Sequence, residues 1–115
     1  MHELSIVLSI IDQVIETCAE RELDAVDVVH LRVGTLSGVD GQALLYAWQV
    51  AREGTVLDRA ELEIERVPLV IRCEQCGRNR TPSSLYELSC SSCSSPEQTI
   101  LTGQELELVS LEITV

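Results

Sequence analysis

Two short motifs, Cys73-Glu74-Gln75-Cys76 and Cys90-Ser91-Ser92-Cys93, decide how the second half of this chain folds. Each motif has two residues between its cysteines, and 13 residues separate the two pairs. This spacing lets a tight turn aim both sulfurs at one point, so that two such turns supply a tetrahedral set of four thiolates. The motifs therefore predict a closed, structural zinc site with no open position for catalysis.

Two other interpretations of these four cysteines remain. The pairs could form two disulfides, or they could hold iron in the manner of rubredoxins, which have similar pairs. Disulfides are rare in a reducing compartment, and the longer spacer and the aromatic core of rubredoxins are both missing here. The fifth cysteine, Cys18, lies on the apolar stripe of a predicted helix and is interpreted as a small buried residue.

The segment that carries the motifs differs in composition from the rest of the chain. From Cys73 to Ile100 it is rich in Ser, Thr, Gly, Pro and Cys and has few large apolar side chains. Such a segment buries too little apolar surface to fold alone, so metal binding would have to supply its folding free energy. Because strands are predicted on both sides, we expect an inserted zinc-binding domain at 73–100 and a second domain made of 1–72 and 101–115.

The remainder of the chain predicts two helices and three strands. Apolar residues at intervals of three and four predict a helix over 4–20, and Asp40 is placed to cap a second helix that ends at Gly54. The strands are predicted over 25–33, 60–67 and 104–115. The apolar residues of the last strand change phase, which predicts a β-bulge near Leu108 and Val109. The expected fold is α+β: a three-stranded sheet with two helices plus the inserted four-cysteine lobe.

Composition and charge exclude several classes of partner. The chain has 115 residues with 19 Asp or Glu and 8 Lys or Arg, which gives a formal net charge of −11. An acidic chain is repelled by phosphate backbones and anionic membrane surfaces, so we expect no nucleic acid as a partner and no membrane insertion. Acidic and polar residues interrupt the longest apolar segment, and a secretory signal is missing. These features predict a cytoplasmic protein.

The N-terminal residues Met1, His2 and Glu3 form a potential chelate. A side chain as large as His at position 2 ordinarily prevents removal of Met1. The α-amine of Met1, the deprotonated amide of His2 and the His2 imidazole could then close two fused rings around a metal, and such an in-plane nitrogen set suits Ni(II) or Cu(II). Glu3 could add an oxygen or a further backbone nitrogen. The alternative is that His2 has no role, since a histidine at position 2 is not rare.

Catalytic motifs are missing from the sequence. It has two histidines, no glycine-rich phosphate loop and no nucleophile motif with a plausible base. The second histidine, His30, lies on the strand face that carries Arg32 and is interpreted as an ordinary surface or core histidine with its hydrogen bonds satisfied. We therefore expect no enzyme.

Taken together, these residues resemble the HypA family, including its HybF relatives, which are nickel-insertion accessory proteins of [NiFe]-hydrogenase maturation. The resemblance covers the whole chain. It rests on the N-terminal Met1-His2-Glu3-Leu4-Ser5, the loop Gly34-Thr35-Leu36-Ser37-Gly38-Val39, the acid Asp40, Gly54-Thr55 and the four cysteines of the insert.

The resemblance implies a function and a set of ligands. His2 would be the principal nickel ligand, helped by the backbone of Met1, by Glu3 and by Asp40 as a further candidate, with zinc as a structural ion at Cys73, Cys76, Cys90 and Cys93. The implied partners are the GTPase HypB and the precursor of a hydrogenase large subunit. The implied role is that of a metallochaperone that delivers Ni(II). The alternative is a zinc-ribbon adaptor that binds proteins and never binds nickel.

Overall fold

The computed structural model describes residues 2–82 and 87–114. Its helices are α1 (Glu3–Glu20) and α2 (Gly41–Ala51), and its strands are β1 (Val28–Gly34), β2 (Glu61–Val67), β3 (Val70–Cys73), β4 (Asn79–Arg80), β5 (Gln98–Thr102) and β6 (Leu106–Glu112). The strands form two three-stranded sheets, ordered β2-β1-β6 and β4-β3-β5. This arrangement confirms the predicted α+β class.

The first sheet and the two helices share one apolar core. β1 lies in the middle of the sheet, parallel to β2 and antiparallel to β6. Alternate residues of β1, namely Val29, Leu31 and Val33, are buried in the cluster that also takes the apolar stripes of both helices. This sheet with its two helices is the predicted one. Cys18 is buried in the same cluster, as expected.

The ends of the elements differ from the predicted ends by a few residues. The predicted cap of α2 is confirmed, because Asp40 Oδ1 accepts hydrogen bonds from the backbone N–H groups of Gln42 (2.9 Å) and Ala43 (3.3 Å). The predicted end of that helix at Gly54 is wrong, since α2 ends at Ala51. Turn residues that bond among themselves, such as Thr55 N–H to the Arg52 carbonyl, take over from the helix there.

The predicted β-bulge is confirmed. His30 pairs with Ser110 while the next residue of β1, Leu31, pairs with Leu108, so Val109 has no partner on β1. The extra residue shifts the alternation by one position. Leu108 and Leu111 therefore both pack against the core, and the residues that alternate with Leu111, Ser110 and Glu112, lie on the opposite face.

The second sheet was not predicted. In this sheet β3 lies between β4 and β5, and the three strands are only two to five residues long. Strands this short show no alternating pattern that a sequence could reveal. The sheet spans residues 70–102 and so includes short pieces of chain on either side of 73–100; the proposed domain boundaries stay a prediction.

The two sheets are joined by a close backbone contact. The N–H of Gly34, at the end of β1, donates to the Glu105 carbonyl (2.7 Å), and the N–H of Leu36 donates to the Gly103 carbonyl (2.6 Å). A Cβ on Gly34 would lie 2.1 Å from the Gly103 oxygen. The connection between the sheets therefore packs on β1 at a position that only glycine can occupy.

In residues 2–82 and 87–114, no helix is both long enough and apolar enough to cross a bilayer.

Candidate metal centre

The four motif cysteines converge on one point. Their sulfur atoms all lie within 4.8 Å of one another, with Sγ–Sγ distances of 3.6 Å between Cys73 and Cys93 and 3.7 Å between Cys76 and Cys90. Four thiolates about 2.3 Å from a tetrahedral zinc ion have edges of about 3.8 Å. The donor set therefore fits zinc in both chemistry and spacing. A disulfide needs an S–S distance of about 2.05 Å, and all four cysteines are free.

The two turns that present the cysteines have the same backbone design. In the first turn, the N–H of Gly77 donates to the carbonyl of Cys73 (2.8 Å); in the second, the N–H of Ser94 donates to the carbonyl of Cys90 (2.8 Å). Gly77 has a φ of 75° and Ser94 a φ of 60°. Glycine adopts this left-handed conformation readily, so Gly77 is a signal of the first turn in the sequence, whereas Ser94 gives no such signal.

Backbone donors favour thiolates within these turns. The N–H of Cys76 points at the sulfur of Cys73 and lowers the pKa of that thiol to about 6. In the second turn the N–H of Cys93 likewise lowers the pKa of Cys90. At Cys93 the N–H of Ser95 acts in the same direction, but the Cys73 and Cys90 sulfurs together with desolvation outweigh it and raise the pKa to about 11. The site therefore begins to ionise at the first cysteine of each pair.

Two of the predicted nickel ligands, His2 and Glu3, lie at the beginning of α1, and Asp40 lies at the beginning of α2. Met1 lies outside the described residues. His2 is the exposed residue that precedes the helix, and its carbonyl accepts from the N–H of Ile6 (3.3 Å). The His2 imidazole makes no capping hydrogen bond. The backbone of this residue is thus fixed to the helix, while its ring stays exposed to solvent.

The structure brings two of the predicted accessory ligands together. Glu3 Oε2 accepts a hydrogen bond from the N–H of Asp40 (3.2 Å), so that the N-termini of both helices meet there. Asp40 itself uses Oδ1 to cap α2. In the part of the chain that the structure describes, His2, Glu3 and Asp40 do not form a compact cluster of three metal-ligand atoms. Arg66, which no sequence pattern connects with this place, lies over the beginning of α2. Its Nη2 is 2.7 Å from the place that a Cβ of Gly41 would take.

A second group of potential ligands surrounds His30. Its Nδ1 lies 3.3 Å from Glu63 Oε2 and its Nε2 lies 2.6 Å from Glu112 Oε2. The partners expected for this histidine are therefore present. Glu112 is 82 residues away in sequence, and no local pattern could have connected the two.

Comparisons with known proteins point to one family. A family model described as hydrogenase/urease nickel incorporation, metallochaperone, hypA matches residues 1–113. The chain is 46% identical over 112 residues to hydrogenase maturation factor HypA of Roseiflexus sp. (strain RS-1), a match that covers 97% of this chain and 91% of the relative. It is 43% identical to hydrogenase maturation factor HypA of Chloroflexus aurantiacus, with coverages of 97% and 98%. The solution structure of the Ni metallochaperone HypA from Helicobacter pylori has a TM-score of 0.68 at 29% identity and coverages of 98% and 97%.

Proposed function

Since the chain belongs to the HypA family of hydrogenase/urease nickel incorporation metallochaperones, we propose that it binds Ni(II) at its N-terminus and hands the ion to the precursor of a [NiFe]-hydrogenase large subunit. The proposed partners are that precursor and the GTPase HypB. The protein acts as a carrier and catalyses no covalent step. The proposed location is the cytoplasm, whose reducing conditions keep the cysteines available for metal.

The observation that carries this proposal is the state of the backbone at His2. The first N–H groups of an α-helix have no acceptor within the helix. Deprotonating the amide of His2 and binding a metal there therefore breaks no hydrogen bond of α1. The exposed imidazole and the amine of Met1 would complete the in-plane nitrogen set that suits Ni(II).

Glu3 and Asp40 are accessory groups in this proposal. Glu3 follows His2 in sequence, and its carboxylate accepts a hydrogen bond from the N–H of Asp40. Asp40 caps α2 through one oxygen, so changing it also affects the helix. Replacing Glu3 or Asp40 leaves the nitrogen ligands intact. We therefore expect either replacement to weaken nickel binding less than replacement of His2.

The proposed role of the four-cysteine site is structural. Cys73, Cys76, Cys90 and Cys93 would occupy all four positions around a tetrahedral zinc ion, which leaves none for a substrate. Zinc, when bound, supplies folding free energy to the inserted domain proposed at 73–100. The domain proposed to bind nickel, made of 1–72 and 101–115, contains the larger apolar core.

Calorimetric nickel titration of the untagged, zinc-loaded protein tests the proposal. We expect His2→Ala and an added N-terminal tag each to abolish nickel binding at the N-terminus, because each removes one arm of the fused rings, while zinc content and fold are unchanged. Glu3→Gln serves as the milder comparison. A His2→Ala protein that binds one nickel as tightly as the parent would overturn the proposed chelate, and a parent protein that binds no nickel would favour the zinc-ribbon adaptor instead.

A further inference from the structure

We propose that His30, Glu63 and Glu112 form a second, exchangeable site for a divalent first-row transition ion, separate from both the N-terminus and the four cysteines. Potential ligand atoms of these three residues all lie within 4.8 Å of one another. One imidazole nitrogen and two carboxylate oxygens would bind the ion, and water would complete its coordination.

The three side chains are held together by the sheet itself. His30 lies on the central strand β1, and Glu63 is its direct partner on β2. Glu112 comes from β6, and the bulge at Val109 puts it on the same face as His30. Three hydrogen-bonded strands therefore fix the backbone positions of the ligands, and only the side-chain torsions remain to adjust.

A neighbouring cluster on the same face shows a cation between two carboxylates. Two residues along β1, Arg32 lies between two other carboxylates, 3.0 Å from Glu65 and 3.9 Å from Glu107. The guanidinium is permanently charged and neutralises them. A divalent cation at His30 would likewise lie between one carboxylate from β2 and one from β6.

The donor set defines the class of ion. Imidazole favours Zn²⁺, Co²⁺ and Ni²⁺ over Ca²⁺ and Mg²⁺, and the two carboxylates balance the double positive charge. The side chains of Glu63 and Glu112 are 61% and 60% exposed, so ions can enter and leave directly from solvent. A single ion uses one ring nitrogen, and rotation of an exposed glutamate brings its oxygen to that side. The site should therefore bind weakly and exchange quickly.

Paramagnetic NMR with Co²⁺ tests this site directly. The chain has two histidines, so a His2→Ala protein with zinc in its cysteine site keeps His30 as its one imidazole. We expect added Co²⁺ to broaden the His30 ring signals and the backbone amides of β1 around residue 30 before other signals. In the Glu63→Gln and Glu112→Gln proteins, the Co²⁺ concentration needed for the same broadening should be higher by about tenfold or more.

The chain offers matched controls on the same sheet face. Glu65→Gln and Glu107→Gln each remove one exposed carboxylate from the same two strands, next to Arg32 instead of His30. Both should leave the Co²⁺ effect unchanged. Equal weakening in all four variants would mean nonspecific attraction to an acidic surface and would overturn the proposal, as would the absence of selective broadening at millimolar Co²⁺. Because His2 is absent throughout, the result is independent of the proposed nickel chelate.

Discussion

The two sheets of this protein are stabilised by different means. Sixteen buried apolar residues pack in one cluster around the sheet β2-β1-β6 and its helices. Around β4-β3-β5, in the part of the chain that the structure describes, the buried apolar residues are Leu69, Ile71 and two of the motif cysteines. Apolar burial is worth about 25 cal/mol per Å², so the first region has a large source of folding free energy and the second has a small one.

The difference explains why the cysteines occur where they do. A segment of about 30 residues is below the size at which a core alone sustains a fold, and such segments need metals or disulfides. The four sulfurs converge in the region with the fewest buried apolar side chains. We therefore expect the two regions to respond to different perturbations.

The largest effect should come from Cys73→Ala. Apparent binding free energies of structural zinc are about 10 kcal/mol or more, so the variant should lose zinc and unfold β4 and β5 while the first sheet persists. Metal analysis and amide hydrogen exchange measure both outcomes. Cys18→Ala is the control, because Cys18 is buried in the first region, and it should keep its zinc. A Cys73→Ala protein with one zinc per chain and a protected β5 would contradict the comparison.

Leu31→Ala should affect the other region. Leu31 is 1% exposed, and truncation of such a residue costs about 2–5 kcal/mol. Trp48 is the sole tryptophan and lies in the same core, so its fluorescence follows unfolding of this region. Zinc content should not change. Ile71→Ala truncates an equally buried side chain in the second region and should leave the midpoint of the Trp48 transition unchanged. An equal shift of that midpoint in both variants would show that both regions unfold as one unit.

The cysteine turns allow a sharper test of the second region. Gly77→Ala places a Cβ in a left-handed conformation, at a cost of about 1–2 kcal/mol, although no atom lies within 4 Å of that Cβ. Zinc affinity, measured by competition with a chelator, should fall by about 5- to 30-fold. Ser94→Gly removes the Cβ that makes the same conformation costly in the other turn, so it should raise the zinc affinity. A fall in both variants would mean that side-chain contacts, not backbone conformation, control the turns.

Asp40→Ala should have the smallest effect and should be confined to the first region. Loss of an N-cap costs about 1 kcal/mol, which should lower the midpoint of the Trp48 transition without changing zinc content. Asp40→Asn keeps a capping oxygen and should restore stability. If Asn restores the stability but not the nickel affinity, the carboxylate itself contributes to binding.

Much of the first region was predictable because its signals are local. The stripe of α1, the cap at Asp40 and the phase change near Val109 each follow from a few neighbouring residues, and all three are present. The end of α2 was placed three residues too late. The second sheet was missed because β4 has two residues and no periodicity to detect.

The sequence by itself determined the spacing of the cysteines, the two helices, the central strands and the chemistry available at residues 1–3, since periodicity, capping and motif spacing act over a few residues. The tertiary structure decided which distant groups meet. It placed Glu3 on the N–H of Asp40, Arg66 over Gly41, and Glu63 and Glu112 on either side of His30. For Glu63 and Glu112 the physical reason is strand register, because pairing across β1 and the bulge in β6 fix both residues beside His30. The other two contacts join the beginning of α2 to α1 and to β2, and they depend on how these elements pack in the core.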